Sequence, residues 1–387
     1  MIRCIKFMKN TVVSLIKADS YDVKVIEKSI EKIFLHLDFD PGSFSGKKIA
    51  IKPNLLTSVL PESGIITHPA IIESVIRIIK KNNGIPVLIE SPAFHPLERV
   101  LKKAGINVII EREGVWVADT KRTMLIHNES GRRFKSFHVA EELGSCDMII
   151  NLPKLKTHGL TYYTGAVKNL FGTINGLEKS KWHLRASTKE DFVSFLLDLY
   201  GAITAVTDNR IIHIIDGIIG LEGEGPGAGG TAVKGNALIG GTDAIAVDSV
   251  AVAVAGLNPA RVLTCIEGDK RDYGVSALER IFIKGESLQS FNNKFKEPAP
   301  KSILTRWPMN SPLMKNLIVE KPLPQKEKCT LCYQCKTICP AGAISKTLNN
   351  LTPSFNYSRC IRCYCCMEIC PENAIMLKKT LIGRFIS

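Results

Sequence analysis

Short runs of consecutive apolar residues alternate with stretches of helical periodicity through the first three quarters of the chain. Residues 12–16, 49–51, 87–89, 148–150 and 211–215 are predicted to be buried strands. The spacing of apolar positions predicts helices over residues 69–81, 191–206 and 245–255. The first of these is predicted to begin after an N-cap at Thr67 and to end at Gly84. Near-continuous apolar strands separated by helices are typical of an α/β fold with a largely parallel sheet covered by helices on both faces.

The pattern changes after residue 285. Six prolines punctuate residues 286–325, which predicts an extended connector. A cysteine-rich module follows over residues 326–378, and residues 379–387 form a basic-apolar tail. Residues 1–285 are therefore predicted to form one α/β domain, joined by the connector to a second and much smaller domain.

Charge and composition narrow the classes of partner. Lys and Arg number 51 against 37 Asp and Glu, a formal net charge of +14, which favours acidic proteins or anionic small molecules. Nucleic acid is not expected, because the lysines are spread along the chain and aromatic residues make up only 7% of it. The chain has no apolar run of the roughly 18 residues that span a membrane and no signal-peptide core near its N-terminus. We therefore expect a cytoplasmic protein without a transmembrane segment.

Nine of the twelve cysteines lie between Cys329 and Cys370, which in a cytoplasmic chain indicates metal binding rather than disulfides. They include two C-x2-C-x2-C-x3-C-P sets, and each cysteine of the second set follows its counterpart by 31 residues. In this spacing three thiolates hold one cubane cluster and the fourth ligates the other cluster. The spacing therefore assigns Cys329, Cys332, Cys335 and Cys370 to one 4Fe–4S cluster, and Cys360, Cys363, Cys366 and Cys339 to a second.

The module resembles bacterial-type two-cluster ferredoxins over about residues 327–377. The resemblance implies a small α+β fold of two hairpins and two helices in pseudo-twofold symmetry, with clusters close enough to exchange electrons. A zinc ribbon is the alternative. Cys365 interrupts the second set and is predicted to be a bystander beside the cluster, the alternatives being an extra ligand or a redox-active thiol.

In the large domain, a first group of polar residues follows the strand predicted at residues 49–51. Lys52 and Asn54 come directly after this strand, and His68 lies at the start of the next helix. Strand ends and helix N-termini are where open α/β sheets bind ligands. We predict that Lys52 and Asn54 bind an anionic ligand, with a simple capping and turn cluster as the alternative.

A second group follows the strand predicted at residues 148–150. Lys154, Lys156 and Lys168 lie among apolar and glycine residues rather than on a charged face, so they are predicted to bind a carboxylate or phosphate together with Asn169. His158 is a candidate proton donor or metal ligand. We predict catalytic roles for His158 and Lys168, and a solvated lysine surface is the alternative.

A third group lies in the glycine-rich segment of residues 216–230, which is predicted to be a mobile loop after a strand. Its backbone N–H groups at Gly225 and Gly227 are candidates for binding an anion, and Glu222 is a candidate for binding a cation or closing over substrate. The segment matches neither the P-loop nor the dinucleotide-binding fingerprint, so ATP and NAD are not expected. A plain flexible loop is the alternative.

These segments together resemble the domain-of-unknown-function family 362 over most of residues 11–285. Members of that family often carry a C-terminal ferredoxin module, and their chemistry is largely unassigned. A fainter likeness links residues 154–183 to the nickel-pincer lactate racemases and makes Lys168 and His183 the counterparts of their lysine and histidine. The residues between them differ from the racemase pattern.

The leading hypothesis is an iron–sulfur oxidoreductase that passes single electrons between two 4Fe–4S clusters and an anionic substrate or cofactor in the α/β domain. The alternatives are a non-enzymatic electron carrier or maturation factor that docks on a redox partner protein, and a racemase or isomerase with structural clusters. Because parallel strands end at one edge of a sheet, Lys154, Lys156, His158 and Lys168 are expected to converge with the glycine-rich segment.

Overall fold

The computed structural model describes residues 11–92, 95–299, 319–347 and 351–378, so the predicted tail and most of the connector lie outside the described residues. The strands are β1 Thr11–Lys17, β2 Lys48–Pro53, β3 Ile85–Leu88, β4 Trp116–Val117, β5 Thr123–His127, β6 Ser136–Ala140, β7 Met148–Leu152, β8 Lys154–His158, β9 Tyr162–Thr164, β10 Ile211–Gly223, β11 Gly230–Gly241, β12 Ile281–Gly285, β13 Lys321–Pro324, β14 Ile344–Ser345, β15 Ser354–Phe355 and β16 Ile375–Lys378. The helices are α1 Val23–His36, α2 Pro69–Lys81, α3 Leu97–Ala104, α4 Ile106–Glu113, α5 Ala166–Asn169, α6 Gly176–Arg185, α7 Lys189–Val206, α8 Ala244–Val254, α9 Leu263–Lys270, α10 Gln334–Ile338 and α11 Cys365–Ile369.

The large sheet is mixed but mostly parallel. Its strand order is β12-β1-β11-β10-β7-β2-β3-β4, with β8 alongside β10 and β9 alongside β8. Parallel pairs join β10, β7, β2, β3 and β4 in succession, and β11 runs antiparallel between β1 and β10. Helices α1–α4 pack one hydrophobic core against the sheet, and α5, α7, α8 and α9 pack another. The predicted α/β fold is confirmed.

The glycine-rich segment differs from its prediction. Residues 216–223 belong to β10, which pairs with β11 as far as Gly223 opposite Gly230, so only residues 224–229 form a loop. The glycines permit close packing rather than a mobile loop: a Cβ at Gly220 would lie 2.7 Å from the Phe295 ring. The segment is therefore the end of a long β-hairpin that projects from the sheet.

The helix start predicted at Thr67 also differs in detail. The N-cap of α2 is His68, whose Nδ1 accepts a hydrogen bond from the backbone N–H of Ala70. The Thr67 hydroxyl instead donates to the Leu152 carbonyl at 2.6 Å and accepts from the Asn54 N–H at 2.8 Å. Thr67 thus ties the ends of β2 and β7 together, at the edge where the polar residues gather.

The two halves of the cysteine-rich module have matching backbones. Helices α10 and α11 each begin after a tyrosine in the left-handed region, with φ of 56° at Tyr333 and 62° at Tyr364, 31 residues later. The module is closed by the antiparallel pairs β13–β16 and β14–β15. Since β13 lies within residues 286–325, the end of the predicted connector is part of the module. Its start belongs to the large domain, where Phe295 is buried in the core.

Within the described ranges no helix combines the length and apolar character that crossing a bilayer requires.

Candidate functional site

A buried ion pair lies where β2 and β3 end. Lys52 Nζ is 2.8 Å from Glu90 Oε2 and donates to the Pro53 carbonyl at 2.7 Å. Burial lowers the pKa of Lys52, and the Glu90 carboxylate opposes that shift. Gly172 packs against the pair, and a Cβ there would lie 2.3 Å from Lys52 Nζ. The Lys52 ammonium is therefore bonded to protein groups and is buried beneath the residues that form the site.

A chain of amides continues from this pair. Asn169 Nδ2 donates to the Asn151 side chain at 2.8 Å and to the Lys52 carbonyl at 3.0 Å, and its Oδ1 accepts from Asn54 Nδ2 at 2.9 Å. Lys156 Nζ donates to Asn54 Oδ1 at 2.7 Å and to the Ile65 carbonyl at 2.9 Å. Burial first, and then the charge of Lys168, lowers the pKa of Lys156 well below that of a free lysine. The chain fixes the orientation of both asparagine amides.

Lys154 belongs to a separate cluster. Its Nζ lies 2.7 Å from Asp216 Oδ2 and donates to the Tyr21 hydroxyl at 3.0 Å. The Tyr21 hydroxyl donates to Asp216 Oδ1 at 2.8 Å, and the His68 ring stacks on Tyr21 at 3.6 Å. The cluster joins β8, β10 and the start of α2. Because Asp216 neutralises Lys154 inside the protein, the cluster presents no free cation to a ligand.

The short helix α5 carries Lys168 and Asn169. The buried carboxylate of Asp248 accepts hydrogen bonds from the N–H groups of Ala166 at 2.6 Å and Val167 at 3.2 Å, which caps this helix. Gly165 is required at the preceding position, because a Cβ there would lie 2.0 Å from Asp248 Oδ1. Asp248 therefore determines where Lys168 is held.

Helix α6 adds a second lysine and a histidine. Lys179 Nζ donates to the Ser91 carbonyl and lies 5.7 Å from the centre of the Phe171 ring. Burial lowers the pKa of Lys179 to about 8. His183 stacks on Phe192 at 4.5 Å, and burial, together with the charges of Lys168 and Lys179, lowers its pKa to about 3. His183 is thus neutral near pH 7.

These groups surround a cavity of about 620 Å³, counting the solvent at its mouth, between the large domain and the cysteine-rich module. The large domain contributes Asn54, Asn169, Lys168, Lys179 and His183 to its lining, and the module contributes Ile338, Cys365 and Glu368. The Lys168 side chain makes no hydrogen bond or salt bridge within the described parts of the chain. Burial lowers the pKa of Lys168, and the nearby Glu368 carboxylate opposes this shift. Lys168 is therefore a cavity-lining lysine that no described side chain bonds directly.

His158 lies at the contact between the domains and is 2% exposed. Its Nδ1 accepts from the Leu160 N–H at 2.9 Å, which leaves the proton on Nε2, 3.7 Å from Glu368 Oε1. The hairpin end packs beside it: Gly159 N–H donates to the Gly225 carbonyl at 3.0 Å, and a Cβ at Gly227 would lie 3.0 Å from the Glu368 carbonyl.

Of the remaining sequence candidates, Glu222 lies away from the cavity. Its Oε2 accepts from the Lys296 N–H at 2.7 Å, and Glu224 Oε1 accepts from the Ala299 N–H at 2.6 Å. Both carboxylates hold the first residues of the connector against the hairpin. The structure thus brings Asn54, Lys168 and Asn169 to one cavity wall and places Gly225 and Gly227 at the domain contact.

The cysteine thiols of the module lie near one another, as electrostatic effects on their pKa values show. The thiols of Cys332, Cys370 and Cys329 lie close enough to Cys335 to raise its pKa, although burial is the larger cause. Cys363 and Cys360 act in the same way on Cys339. The Sγ atoms of Cys339 and Cys370 each accept a backbone hydrogen bond, from Ala343 at 3.2 Å and Ala374 at 3.1 Å. Backbone donors of this kind stabilise thiolate ligands.

Sequence reasoning missed three residues of the cavity region. Glu90 directly follows a strand predicted at residues 87–89, so the rule that selected Lys52 would have found it. Lys179 lies between Glu178 and Lys181 in a charged segment, and this pattern predicts a solvated surface. Glu368 is in the cysteine module and reaches the cavity only because the domains pack together.

Comparison with known proteins agrees with the division of the chain into a large α/β domain and a small cysteine-rich module. Residues 49–253 match the model of a domain of unknown function (DUF362), and residues 321–371 match that of a 4Fe-4S dicluster domain. The thylakoid-associated protein sll1697 of Synechocystis sp. is 29% identical over 273 residues, which are 70% of this chain and 82% of that protein.

A solved structure, the lactate racemase apoprotein from Thermoanaerobacterium thermosaccharolyticum, superposes with a TM-score of 0.35 and 15% identity. The match covers 60% of this chain and 54% of the racemase, so this chain spans about half the length of that protein. The match to the unknown-function domain, in contrast, covers more than half of the present chain. The chain therefore belongs to the DUF362 family and is an iron–sulfur protein with a C-terminal 4Fe–4S dicluster domain.

Proposed function

We propose that this protein is an iron–sulfur oxidoreductase that exchanges single electrons with an anionic small molecule bound between its two domains. One observation carries the proposal: a cavity lined by Lys168 and Lys179 has Cys365, flanked by cluster cysteines, in its opposite wall. A separate electron carrier would not need a cationic cavity at this position.

Two 4Fe–4S clusters are proposed, and their ligands are two sets of four. The first set is Cys329, Cys332, Cys335 and Cys370, and the second is Cys360, Cys363, Cys366 and Cys339. The grouping of thiols around Cys335 and Cys339 supports this crossed assignment. When bound, such clusters supply one-electron oxidation and reduction. The interaction between the neighbouring Cys365 and Cys363 thiols raises the pKa of Cys365 and lowers that of Cys363.

The residues of the large domain have distinct roles in this proposal. The Lys168 ammonium pairs with the anionic group of the ligand, since no salt bridge or side-chain hydrogen bond within the described residues holds it and the Glu368 carboxylate acts on it only from a distance. Lys179 adds a second positive charge below pH 8. The amides of Asn54 and Asn169 are held by Lys156 and Asn151 and thus form a rigid polar wall that orients the ligand. Glu368 limits how much negative charge the cavity accepts.

Binding and redox behaviour of the anaerobically purified protein test the proposal. Oxalate, lactate and inorganic phosphate are titrated calorimetrically into the wild-type protein and into Lys168→Ala. The proposal expects at least one anion to bind wild-type protein and to bind the variant more weakly. It also expects that anion to shift the redox titration of the iron–sulfur absorbance. Equal affinities in the two proteins, or binding without any redox shift, would contradict an oxidoreductase.

The second candidate is a racemase or isomerase with structural clusters, and the proximity of Lys168 and His183 favours it. Both residues line the cavity, and the positive charge of Lys168 helps to lower the pKa of His183 to about 3. A racemase needs two proton-transferring groups at one cavity, and Lys168 and His183 are such a pair, although a pKa of about 3 makes His183 a weak base near pH 7. In this case incubation with one enantiomer of lactate in deuterated water would give deuterium exchange at the carbon that bears the hydroxyl, without any change in iron–sulfur absorbance.

A further inference from the structure

The duplicated cysteine module offers an internal comparison, because its halves share a backbone but differ in surroundings. Cys332 is exposed to solvent, whereas its counterpart 31 residues later, Cys363, is partly buried. Cys363 also lies two residues before Cys365, which lines the cavity. The second half, which contributes Cys365 and Glu368 to the cavity, is named the docked half, and the first half, which contributes Ile338 but leaves Cys332 exposed, is named the outward half.

The side chains next to these cysteines also differ in their contact with the large domain. Met367 and Glu368 of the second half line a groove against the hairpin, together with Gly225 and Gly227. The position equivalent to Met367 in the first half is Lys336, which is exposed. The same position of the repeat is thus an apolar residue in the docked half and a lysine in the outward half.

Four lysines gather around the outward half, and we name them the lysine rim: Lys326, Lys328, Lys336 and Lys346. All four are exposed. The first two lie in the turn before Cys329, the third lies on α10 directly after Cys335, and the ammonium of the fourth lies 5.1 Å from the centre of the Tyr333 ring. The one acidic residue in residues 326–346 is Glu327, so four positive charges minus one negative charge leave +3.

We propose that the lysine rim is the docking surface for an acidic electron-carrier protein. The inference rests on the proposed function, because a cavity that exchanges electrons needs a source or acceptor of electrons on another face. A small anion needs convergent donors in a cavity, whereas these lysines are distributed along a turn, a helix and a strand end around an exposed cysteine. Charges spread over such an area match the surface of a protein and steer its approach.

Binding of a reduced, net-negative bacterial two-cluster ferredoxin to the holoprotein tests the inference. Its Kd is measured at about 20 mM and about 300 mM salt for the wild type and for Lys328→Glu/Lys336→Glu. The matched control is Lys102→Glu/Lys103→Glu, which changes the charge equally at exposed positions of α3. We expect the rim variant to bind about tenfold or more weakly at low salt and the difference to shrink at high salt, since screening acts on exposed charges.

Further readouts separate this inference from the proposed function. Iron content, the fraction of iron–sulfur absorbance bleached by excess dithionite and oxalate affinity are expected to be the same in the rim variant as in the wild type, because none of the four rim lysines lines the cavity. Equal ferredoxin affinity in the two double variants, or binding of the rim to anionic phospholipid vesicles but not to ferredoxin, would overturn the inference. Neither result depends on whether Lys168 binds an anion.

Discussion

Removing the ammonium of Lys168 and that of Lys52 is expected to have opposite consequences, although both lysines lie near the cavity. The Lys168 side chain has no hydrogen bond or salt bridge within the described ranges, so Lys168→Ala leaves no directly bonded group without its partner and removes only the longer-range attraction to Glu368. The free energy of unfolding is expected to change by no more than about 1 kcal/mol, as for most residues that lack a buried partner. Anion binding is expected to weaken by ~1.5–3 kcal/mol, the contribution of a charge-assisted hydrogen bond, or roughly ten- to hundredfold in Kd.

Lys52→Ala is the matched comparison. It leaves the Glu90 carboxylate buried without its cation, and breaking a buried pair costs about 3–5 kcal/mol. Glu90 keeps hydrogen bonds from the N–H groups of Leu55 at 3.0 Å and Ser91 at 2.8 Å, so the lower end of that range, about 3 kcal/mol, is expected.

The assays are oxalate titration calorimetry and denaturant unfolding of each variant, with iron content measured alongside. Iron content is expected to stay at the wild-type level in Lys168→Ala, since the cysteines belong to a separate module. If Lys168→Ala unfolds as readily as Lys52→Ala while still binding oxalate with wild-type affinity, then Lys168 is a structural residue and the reasoning about the cavity is wrong.

Four further predictions follow from the same geometry. Anaerobically prepared protein is expected to contain about eight irons per chain, since the spacing specifies two cubanes; a value near four would leave one cluster without support. Oxalate affinity is expected to fall as the pH rises through about 8, because Lys179 is protonated below its lowered pKa and neutral above it, and Lys179→Gln is expected to remove this dependence in calorimetry. Gly227→Val is expected to separate the module from the large domain, since its side chain meets the Glu368 carbonyl, and limited proteolysis would detect faster cleavage at unchanged iron content. Asp216→Asn is expected to cost about 3 kcal/mol or more by leaving Lys154 buried without its counter-ion, and wild-type stability in urea would contradict that.

The sequence alone was sufficient to predict the main strands of the large domain and the cysteine-rich module. Apolar runs located the strands that became β1, β2, β3, β7 and β10, because strands buried on both faces are apolar at nearly every position, with Ser14 and His213 as buried polar exceptions. The cysteine spacing indicated an iron–sulfur module, because cluster ligands three residues apart form a local pattern that can be recognised without knowing the fold. The rule that polar residues follow strand ends led to Asn54, Lys168 and Asn169, which share one cavity wall.

Which charges remain available for a ligand was decided only by the tertiary structure. Lys52, Lys154, Lys156 and Lys168 have the same character in the sequence, yet Glu90 neutralises the first, Asp216 the second, and two oxygens hold the third. These partners lie 38, 62 and about a hundred residues away, so no local pattern reveals them. The glycine-rich segment is a hairpin because β11 pairs with it, and the cavity exists because Glu368 and Cys365 from a distant module form one of its walls. Long-range packing, rather than residue type, determined which of these four lysines lines the cavity.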